Sequence, residues 1–215
     1  MCDIPEDKLR IIKSWKVADK LLFSCFTDYS WKDDVGFILT KVQGDTHSIF
    51  HVRSGVAEIA DNCFADNCFG STFRQVVLPK SVKRIGKSAF EFCDTLERIN
   101  LENVETIEGW AFMGCARLRD VELPMLKELR EFAFQDCYSL EYIEIPSVKK
   151  ICEFAFDSCR RLRVAKLPEV ELIEKHAFSN CNNLGRVEVK NSCAFSRQSF
   201  SNTKASIHFV REFIS

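Results

Sequence analysis

Hydrophobic positions recur along most of the chain with a strict period of 22 residues. Five kinds of position keep this period: a phenylalanine, an aliphatic residue, an alanine, a leucine and a cysteine. The columns are Phe90, Phe112, Phe134, Phe156, Phe178 and Phe200; Ile85, Ile107, Leu129, Ile151 and Ile173; Ala89, Ala111, Ala133, Ala155 and Ala177; Leu96, Leu118, Leu140, Leu162 and Leu184; and Cys93, Cys115, Cys137, Cys159 and Cys181. A fixed period of this length is the signature of a solenoid, in which each repeat is one rung.

Each rung contains two local patterns that predict secondary structure. Leu96-x-x-Ile99-x-Leu101 ends in a period-two alternation, which predicts a short strand with one buried face. The segment from Ala89 to Leu96 steps by three, which predicts a short helical or 3₁₀ turn. Val104-x-x-Ile107 predicts a second, outer extended segment. In four rungs a proline follows the first strand and ends it, because proline lacks an N–H: Pro79, Pro124, Pro146 and Pro168.

A single 22-residue rung buries little apolar surface, so its stability comes from the interfaces with neighbouring rungs. The phenylalanine column should form a continuous spine inside the stack. Rings in adjacent rungs are expected about one strand spacing apart, ~4.8 Å.

These residues resemble the BspA-like leucine-rich repeat family, whose rungs carry the pattern A-F-x-x-C-x-x-L-x-x-I-x-L-P. The resemblance covers roughly residues 48–210. It implies a curved solenoid with a ligand-binding role, in a family known from bacteria and unicellular parasites, often as surface or adhesion proteins. The predicted fold is therefore an α/β repeat: a right-handed leucine-rich-repeat solenoid with a parallel β-sheet on its concave face and a short helical or 3₁₀ turn in each rung.

The two ends of the chain depart from the repeat. Residues 1–47 are predicted to form an N-terminal cap, with an amphipathic helix from about Glu6 to Phe23 and a hairpin that pairs Phe37–Val42 with Ser48–Val52. Residues 48–215 form the solenoid of about seven rungs, which ends in a strand over 207–210. The cap either shields the spine or docks a partner through Trp15 and Trp31.

Composition limits the classes of function. Apolar residues make up 46%, charged residues 28%, and the formal net charge is −1, so no basic field favours nucleic acid. No apolar run reaches the length of a membrane span, and the first residues do not resemble a signal peptide. The 11 cysteines are an odd number, which fits a reducing cytosol better than a secreted disulfide framework. We therefore expect a cytoplasmic protein in which nearly all thiols are free.

The cysteine column allows three interpretations. One cysteine per rung, facing inward, fits a small apolar residue with a weak donor. Neighbouring rungs also lie within the Cα range of a disulfide. A zinc ion needs four ligands that converge on one point, which a single column does not supply. Structural packing is the favoured interpretation, and no metal or cofactor is expected.

Catalytic motifs are missing from the sequence. Four histidines lie far apart in it: His47, His51, His176 and His208. The chain has no G-x-S-x-G or H-E-x-x-H motif and no phosphate-binding glycine loop, and it contains 8 glycines in all. The sequence therefore predicts a protein that is not an enzyme.

Residues between the inward positions of the first strand should point out of the concave sheet. One outward column runs Gln75, Arg98, Asp120, Tyr142, Val164 and Arg186, and the next runs Val77, Asn100, Glu122, Glu144, Lys166 and Glu188. An aromatic residue within an acidic patch flanked by cations is a typical protein-binding arrangement. The predicted partner-binding residues are Arg98, Asp120, Glu122, Tyr142, Glu144, Lys166 and Arg186. The alternative is an ordinary solvated sheet face.

Two functions are therefore open. The first is an intracellular scaffold that binds a protein partner, built into a larger assembly such as a cytoskeletal one. The second is a cell-surface adhesin of the BspA-like class, exported without a standard signal peptide.

Overall fold

In the computed structural model, which describes residues 5–23, 25–32, 35–44, 48–64 and 73–210, the repeat folds into a β-solenoid of about seven turns. The cap contains helix α1 (Glu6–Phe23) and strands β1 (Cys25–Lys32) and β2 (Gly36–Gly44). The solenoid strands, in chain order, are β3 (Ile49–His51), β4 (Val56–Ile59), β5 (Gln75–Val77), β6 (Arg84–Ile85), β7 (Arg98–Ile99), β8 (Thr106–Ile107), β9 (Glu128–Leu129), β10 (Tyr142–Glu144), β11 (Lys150–Ile151), β12 (Val164–Leu167), β13 (Leu172–Ile173), β14 (Arg186–Lys190), β15 (Ala194–Phe195) and β16 (Ser206–Val210).

Most rungs contribute one strand to each of two parallel arrays. The front sheet, predicted for the concave face, contains β3, β5, β7, β10, β12, β14 and β16; β7 and β10 are joined through single bridges at Asp120. The back sheet has two parts: the first contains β4, β6, β8 and β9 and is extended by the cap strands β2 and β1, and the second contains β11, β13 and β15. Registers step by one rung, as in Tyr142 opposite Val164 and Ile151 opposite Ile173. The predicted 22-residue rung is therefore the structural unit.

The predicted phenylalanine spine runs through the core between the sheets. Rings from Phe90 to Phe178 are fully buried. Adjacent rings are nearly parallel, with centroids 5.2 Å apart for Phe90 and Phe112 and 5.1 Å for Phe112 and Phe134. This separation exceeds the contact distance of two ring planes, so the rings are stacked with an offset, the arrangement that the ring quadrupole favours.

The third side of each rung is a turn wall that differs from the prediction. Hydrogen bonds of the i to i+3 kind occur there, as from Met113 N to Trp110 O (3.1 Å). The rung does not continue as a 3₁₀ helix, because Trp110 and Gly114 have positive φ angles of 59° and 72°. Within the described residues a 3₁₀ helix is formed in the last rung, over Arg197–Phe200.

The N-terminal helix has the predicted bounds, but the predicted hairpin partner is wrong. Strand β2 pairs antiparallel with β1, whereas β3 pairs in parallel with β5 in the front sheet. The reason is that Phe50, fully buried, occupies the inward position of Val76 and Ile99, so this segment belongs to the repeat. On the helix, Ile12 is buried, and Ile11 and Trp15 pack against the core as partly buried residues.

Candidate protein-binding site on the front sheet

The structure places the predicted binding residues on the outward side of the front sheet, in the predicted columns. Arg98, Asp120 and Tyr142 are ladder partners in successive rungs, and Val164 and Arg186 continue the same column. In the next column Glu144, Lys166 and Glu188 are ladder partners. The inward residues between these columns are buried, as predicted from the alternation.

Four of the seven predicted residues meet in one depression of about 460 Å³. Its walls are formed by Asp120, Val121, Glu122, Leu123, Pro124, Tyr142, Glu144 and Pro146. Tyr142 is 38% exposed, so part of its side chain remains available for contact. The depression combines carboxylates, an aromatic ring and two prolines, which suits a segment of a protein chain.

The carboxylates of Asp120 and Glu122 are unpaired. Both residues are exposed, and neither makes an ion pair or a side-chain hydrogen bond with any residue that the structure describes. Arg98 is the ladder neighbour of Asp120 but forms no ion pair with it. Two negative charges therefore face the depression without a counter-charge from the described chain.

On the other wall of the depression, the polar side chains bind one another. Tyr142 Oη donates a hydrogen bond to Glu144, and Lys166 Nζ lies 3.6 Å from the Glu144 carboxylate and 5.5 Å from the centroid of the Tyr142 ring. Partial burial, followed by the hydrogen bond to Glu144, raises the pKa of Tyr142. The hydrogen bond from Tyr142 lowers the pKa of Glu144. Near neutral pH this cluster holds a neutral phenol, a carboxylate and an ammonium.

The remaining predicted residues lie outside the depression. Lys166 takes part through Glu144 and Tyr142, whereas Arg186 pairs with Glu188 in its own strand at 2.8 Å. Arg98 lies one rung before the depression. Four of the predicted residues therefore form one site, and Lys166 lies at its rim. Arg98 lies one rung before this site, and Arg186 lies two rungs after Tyr142.

The depression forms where the front sheet is weakest. Asp120 makes single bridges to its neighbours, and residues 121–124 are not in a strand. The adjacent backbone bonds are long: 3.4 Å from Arg119 N to Glu97 O and 3.3 Å from Glu141 N to Arg119 O. Glu122 and Glu144 occupy equivalent positions in adjacent rungs, and like charges side by side disfavour close pairing. Sequence reasoning missed the wall residues Pro124 and Pro146, although their period was visible.

The cysteine column is mainly structural, with one departure from expectation. Each of four buried thiols donates to the spine carbonyl of the preceding rung: Cys115 to Phe90 (3.2 Å), Cys137 to Phe112 (3.3 Å), Cys159 to Phe134 (3.2 Å) and Cys181 to Phe156 (3.0 Å). Cys93 is instead in a disulfide. The expectation of free thiols is therefore corrected at Cys93, whereas Cys115, Cys137, Cys159 and Cys181 are free.

Two further kinds of site were tested against the structure. The Nδ1 of His176 lies 3.1 Å from Ser179 Oγ, but Ser179 is 3% exposed and its hydroxyl also donates to Gln198 O, so a substrate has no access to it. Across the described ranges, no group of three or more His, Cys, Asp or Glu residues is arranged to hold a metal ion. In the same part of the chain no helix is both long and apolar enough to cross a membrane.

Of the two tryptophans that were predicted to dock a partner, the structure describes the side chain of Trp15 but not that of Trp31. Trp15 packs on Tyr29 and Phe37, with ring centroids 5.2 and 4.7 Å away, as expected of a cap that shields the core. The side chain of Trp31, the inserted segment of the first rung and His47 lie outside the described residues.

Comparison with solved structures supports the fold. The chain is similar to a leucine-rich repeat protein of T. pallidum, with 29% identity and a TM-score of 0.69 over 76% of this chain and 81% of that one. A leucine-rich cell surface protein from Faecalibacterium prausnitzii has 22% identity and a TM-score of 0.60, over 77% of this chain and 54% of that one. A Bacteroides ovatus leucine-rich repeat protein has 23% identity and a TM-score of 0.58, over 86% and 58%.

Comparison of sequences identifies the repeat. No curated protein matches the chain. The profile of BspA-type leucine-rich repeat regions matches six copies, over residues 46–124 and 99–207. These matches span most of the chain and coincide with the stacked rungs of the structure. The protein is thus a member of the BspA-type leucine-rich repeat family.

Proposed function

We propose that this protein is a non-enzymatic scaffold that binds a protein partner on its front sheet, in the depression bounded by Asp120, Glu122, Tyr142 and Glu144. The observation that carries the proposal is a pair of carboxylates, Asp120 and Glu122, that have no ion-pair partner among the described residues and share the depression with a partly exposed tyrosine. Tyrosine is enriched among residues that dominate binding energy, and unpaired carboxylates attract a cationic side chain.

The chemistry of the depression favours a basic segment of the partner. A guanidinium or ammonium group can replace the missing counter-charge of Asp120 and Glu122, and the face of a tyrosine ring also attracts cations. The Tyr142 ring already has Lys166 at 5.5 Å, which agrees with this preference. Binding should be faster at low salt, because encounter is steered by charge.

The test is a selection of linear peptides from a random phage-displayed library on the purified chain. Selected peptides should be enriched in arginine and lysine, and Asp120→Asn with Glu122→Gln should remove that enrichment. The matched control is Glu128→Gln, an acidic residue on the back sheet. Removing the ring by Tyr142→Ala should weaken a selected peptide by roughly thirtyfold, about 2 kcal/mol, as measured by fluorescence anisotropy. Equal enrichment on the double variant would refute this site.

The cellular setting has two candidates. The odd number of cysteines in the sequence supports an intracellular scaffold, which we place in a larger assembly. The Cys93 disulfide favours the alternative, a cell-surface adhesin in an oxidising environment. Titration of thiols in denatured protein, prepared from cells with alkylation at lysis, separates them. Nearly all cysteines titrating as free thiols supports the cytoplasmic setting, and bridges beyond Cys93 support the surface.

A further inference from the structure

A second charged surface borders the depression at the point where the front strands begin. It consists of five exposed arginines, here called the arginine edge: Arg117, Arg119, Arg160, Arg161 and Arg163. None of them makes an ion pair with a described residue, and Arg160 lies over the ring of Tyr138 at 4.8 Å. Exposed guanidinium groups without an ion-pair partner in the described chain are available to bind a carboxylate of a partner.

The backbone ladder fixes the spacing of these arginines. Glu141 N donates to Arg119 O, and Arg163 N donates to Glu141 O at 2.9 Å, so Arg119 and Arg163 flank Glu141 two rungs apart. A depression of about 630 Å³ opens here, lined by Glu141, Arg161, Arg163 and Asn183. Asn183 Nδ2 donates to Arg160 O, which fixes the asparagine beside the arginines.

The arginine edge directly precedes the residues of the acidic depression along the chain. Arg119 directly precedes Asp120, and Glu122 follows three residues after Arg119. Three extended residues span about 10 Å, so positive and negative strips run side by side across the sheet. A partner that covers both strips must carry both signs of charge.

We infer that the front sheet takes an extended protein segment with mixed charge, whose acidic residues bind the arginine edge and whose basic residues enter the Asp120–Glu122 depression. The inference rests on the proposed binding function and adds the charge pattern of the partner. The planar fork of arginine matches a carboxylate with two parallel hydrogen bonds, which a lysine does not do. The two charge centres of the segment are about three extended residues apart.

A nucleic acid fits this surface less well than a protein segment. Its backbone carries only negative charge, and Asp120 and Glu122 follow Arg119 by one and three residues, a separation of about one Debye length (~8–10 Å) or less. Phosphates that reach the arginines would therefore be repelled by the neighbouring strip. A segment with both signs of charge is attracted by both strips, because each strip meets residues of the opposite charge.

The experiment uses the peptides selected on the full chain and a variant of the edge, Arg161→Ala with Arg163→Ala. The control is Arg130→Ala, a back-sheet arginine whose guanidinium is paired with Glu128 at 2.7 Å. Selected peptides should carry acidic residues about three positions from their basic ones. Replacing those acidic residues with alanine should weaken binding to the wild type about tenfold, the value of one charge-assisted contact. The same replacement should have no effect on the edge variant.

Several outcomes would overturn the inference, and they differ from failure of the proposed function. If peptides are selected for basic residues alone and the edge variant binds them as the wild type does, the arginine edge takes no part, while the depression still binds. If a single-stranded oligonucleotide binds the arginine edge as tightly as the selected peptide, the partner is a polyanion instead. If no peptide depends on Asp120 or Glu122, the proposed function itself is wrong. Thermal melting of every variant confirms that the fold is kept.

Discussion

The front and back sheets of the solenoid share one core but use their outward charges in different ways. On the back sheet, charged side chains pair with those of neighbouring rungs. Arg84 contacts Glu58, Asp61 (3.4 Å) and Glu108 (3.2 Å). Other pairs on or next to this sheet join Lys127 to Glu105 (2.5 Å), Lys149 to Glu169 (2.7 Å) and Lys150 to Glu174 (2.8 Å). At the centre of the front sheet, Asp120 and Glu122 have no such partner among the described residues.

The difference separates two uses of outward charged residues. Those on the back sheet stabilise the fold, and those at the centre of the front sheet are available for binding. The inward columns of both sheets are apolar and almost fully buried, so they do not distinguish the two faces. On the back sheet, opposite charges occupy neighbouring rungs and satisfy each other. On the front sheet, Glu122 and Glu144 place like charges in neighbouring rungs, which costs pairing and leaves charge available to a partner. We therefore expect mutations on the back to change stability and mutations on the front to change binding.

The largest effect should come from the core that both faces share. Phe134→Ala removes a fully buried ring that is stacked on Phe112 at 5.1 Å and Phe156 at 5.4 Å. We expect a loss of about 3–5 kcal/mol in the free energy of unfolding, measured by urea denaturation. Both sheets should unfold in one transition. A loss below that of Tyr142→Ala would contradict the role of the spine.

The inward half of this structure was predictable from the sequence. The columns of Phe90, Ile85 and their repeats are strict because a stacked core tolerates little change of volume at each rung. The same period predicts the outward columns, since side chains alternate along a strand. The order Arg98, Asp120, Tyr142 was therefore available before the structure.

The remaining features depend on contacts that a period does not encode. Strand β3 alternates in the same way whether it pairs with β2 or with β5, so the hairpin partner was not determined by pattern. The weak pairing around Asp120, where the depression lies, is not visible in the repeat, because the outward columns alternate there as in the other rungs. The arginine edge precedes the strands, outside the alternating segment, although Arg117-Leu118-Arg119 and Arg160-Arg161-Leu162-Arg163 carry its signal.

The second effect concerns pH and acts through the shared core. Burial raises the pKa of the Cys115, Cys137 and Cys159 thiols, so the folded state keeps their protons at pH values where the unfolded chain, with a thiol pKa of about 8.5, releases them. The stabilisation is therefore fully present below that pH and is lost as the pH rises. Each thiol should contribute a slope of about 1.4 kcal/mol per pH unit.

Urea denaturation between about pH 9 and 10 tests this slope, the range being set by the unfolded thiol. Cys137→Ala should reduce the slope of the unfolding free energy against pH by the contribution of one thiol. It should leave peptide binding to the front sheet unchanged. An unaltered slope in this variant would mean that the thiol ionises equally in both states. The matched control is Ala133→Ser, which changes the same rung without touching a thiol.

The third effect should be specific to the back sheet. Arg84→Ala removes contacts to Glu58, Asp61 and Glu108 from a side chain that is 33% exposed. Because partly exposed ion pairs are weak, we expect a loss of about 1 kcal/mol at low salt. The difference from the wild type should shrink at high salt, where the pairs are screened. Arg98→Ala, on the front sheet and without an ion pair, serves as the control and should leave stability unchanged.

The smallest effect on stability, and the sharpest comparison, should come from the same substitution on the two faces. Glu108→Lys on the back sheet places a cation between Arg84 and Arg130, which lie 3.2 and 4.0 Å from the present carboxylate, and it should cost about 1 kcal/mol. Glu122→Lys on the front sheet removes a like charge from the neighbourhood of Glu144, so the free energy of unfolding should stay within about 0.5 kcal/mol of the wild type. Peptide binding should show the reverse order, since Glu122→Lys introduces repulsion towards a basic segment and Glu108→Lys leaves the depression intact. Equal losses of stability in the two variants would show that the front carboxylates are also part of the fold, and the distinction between the faces would then fail.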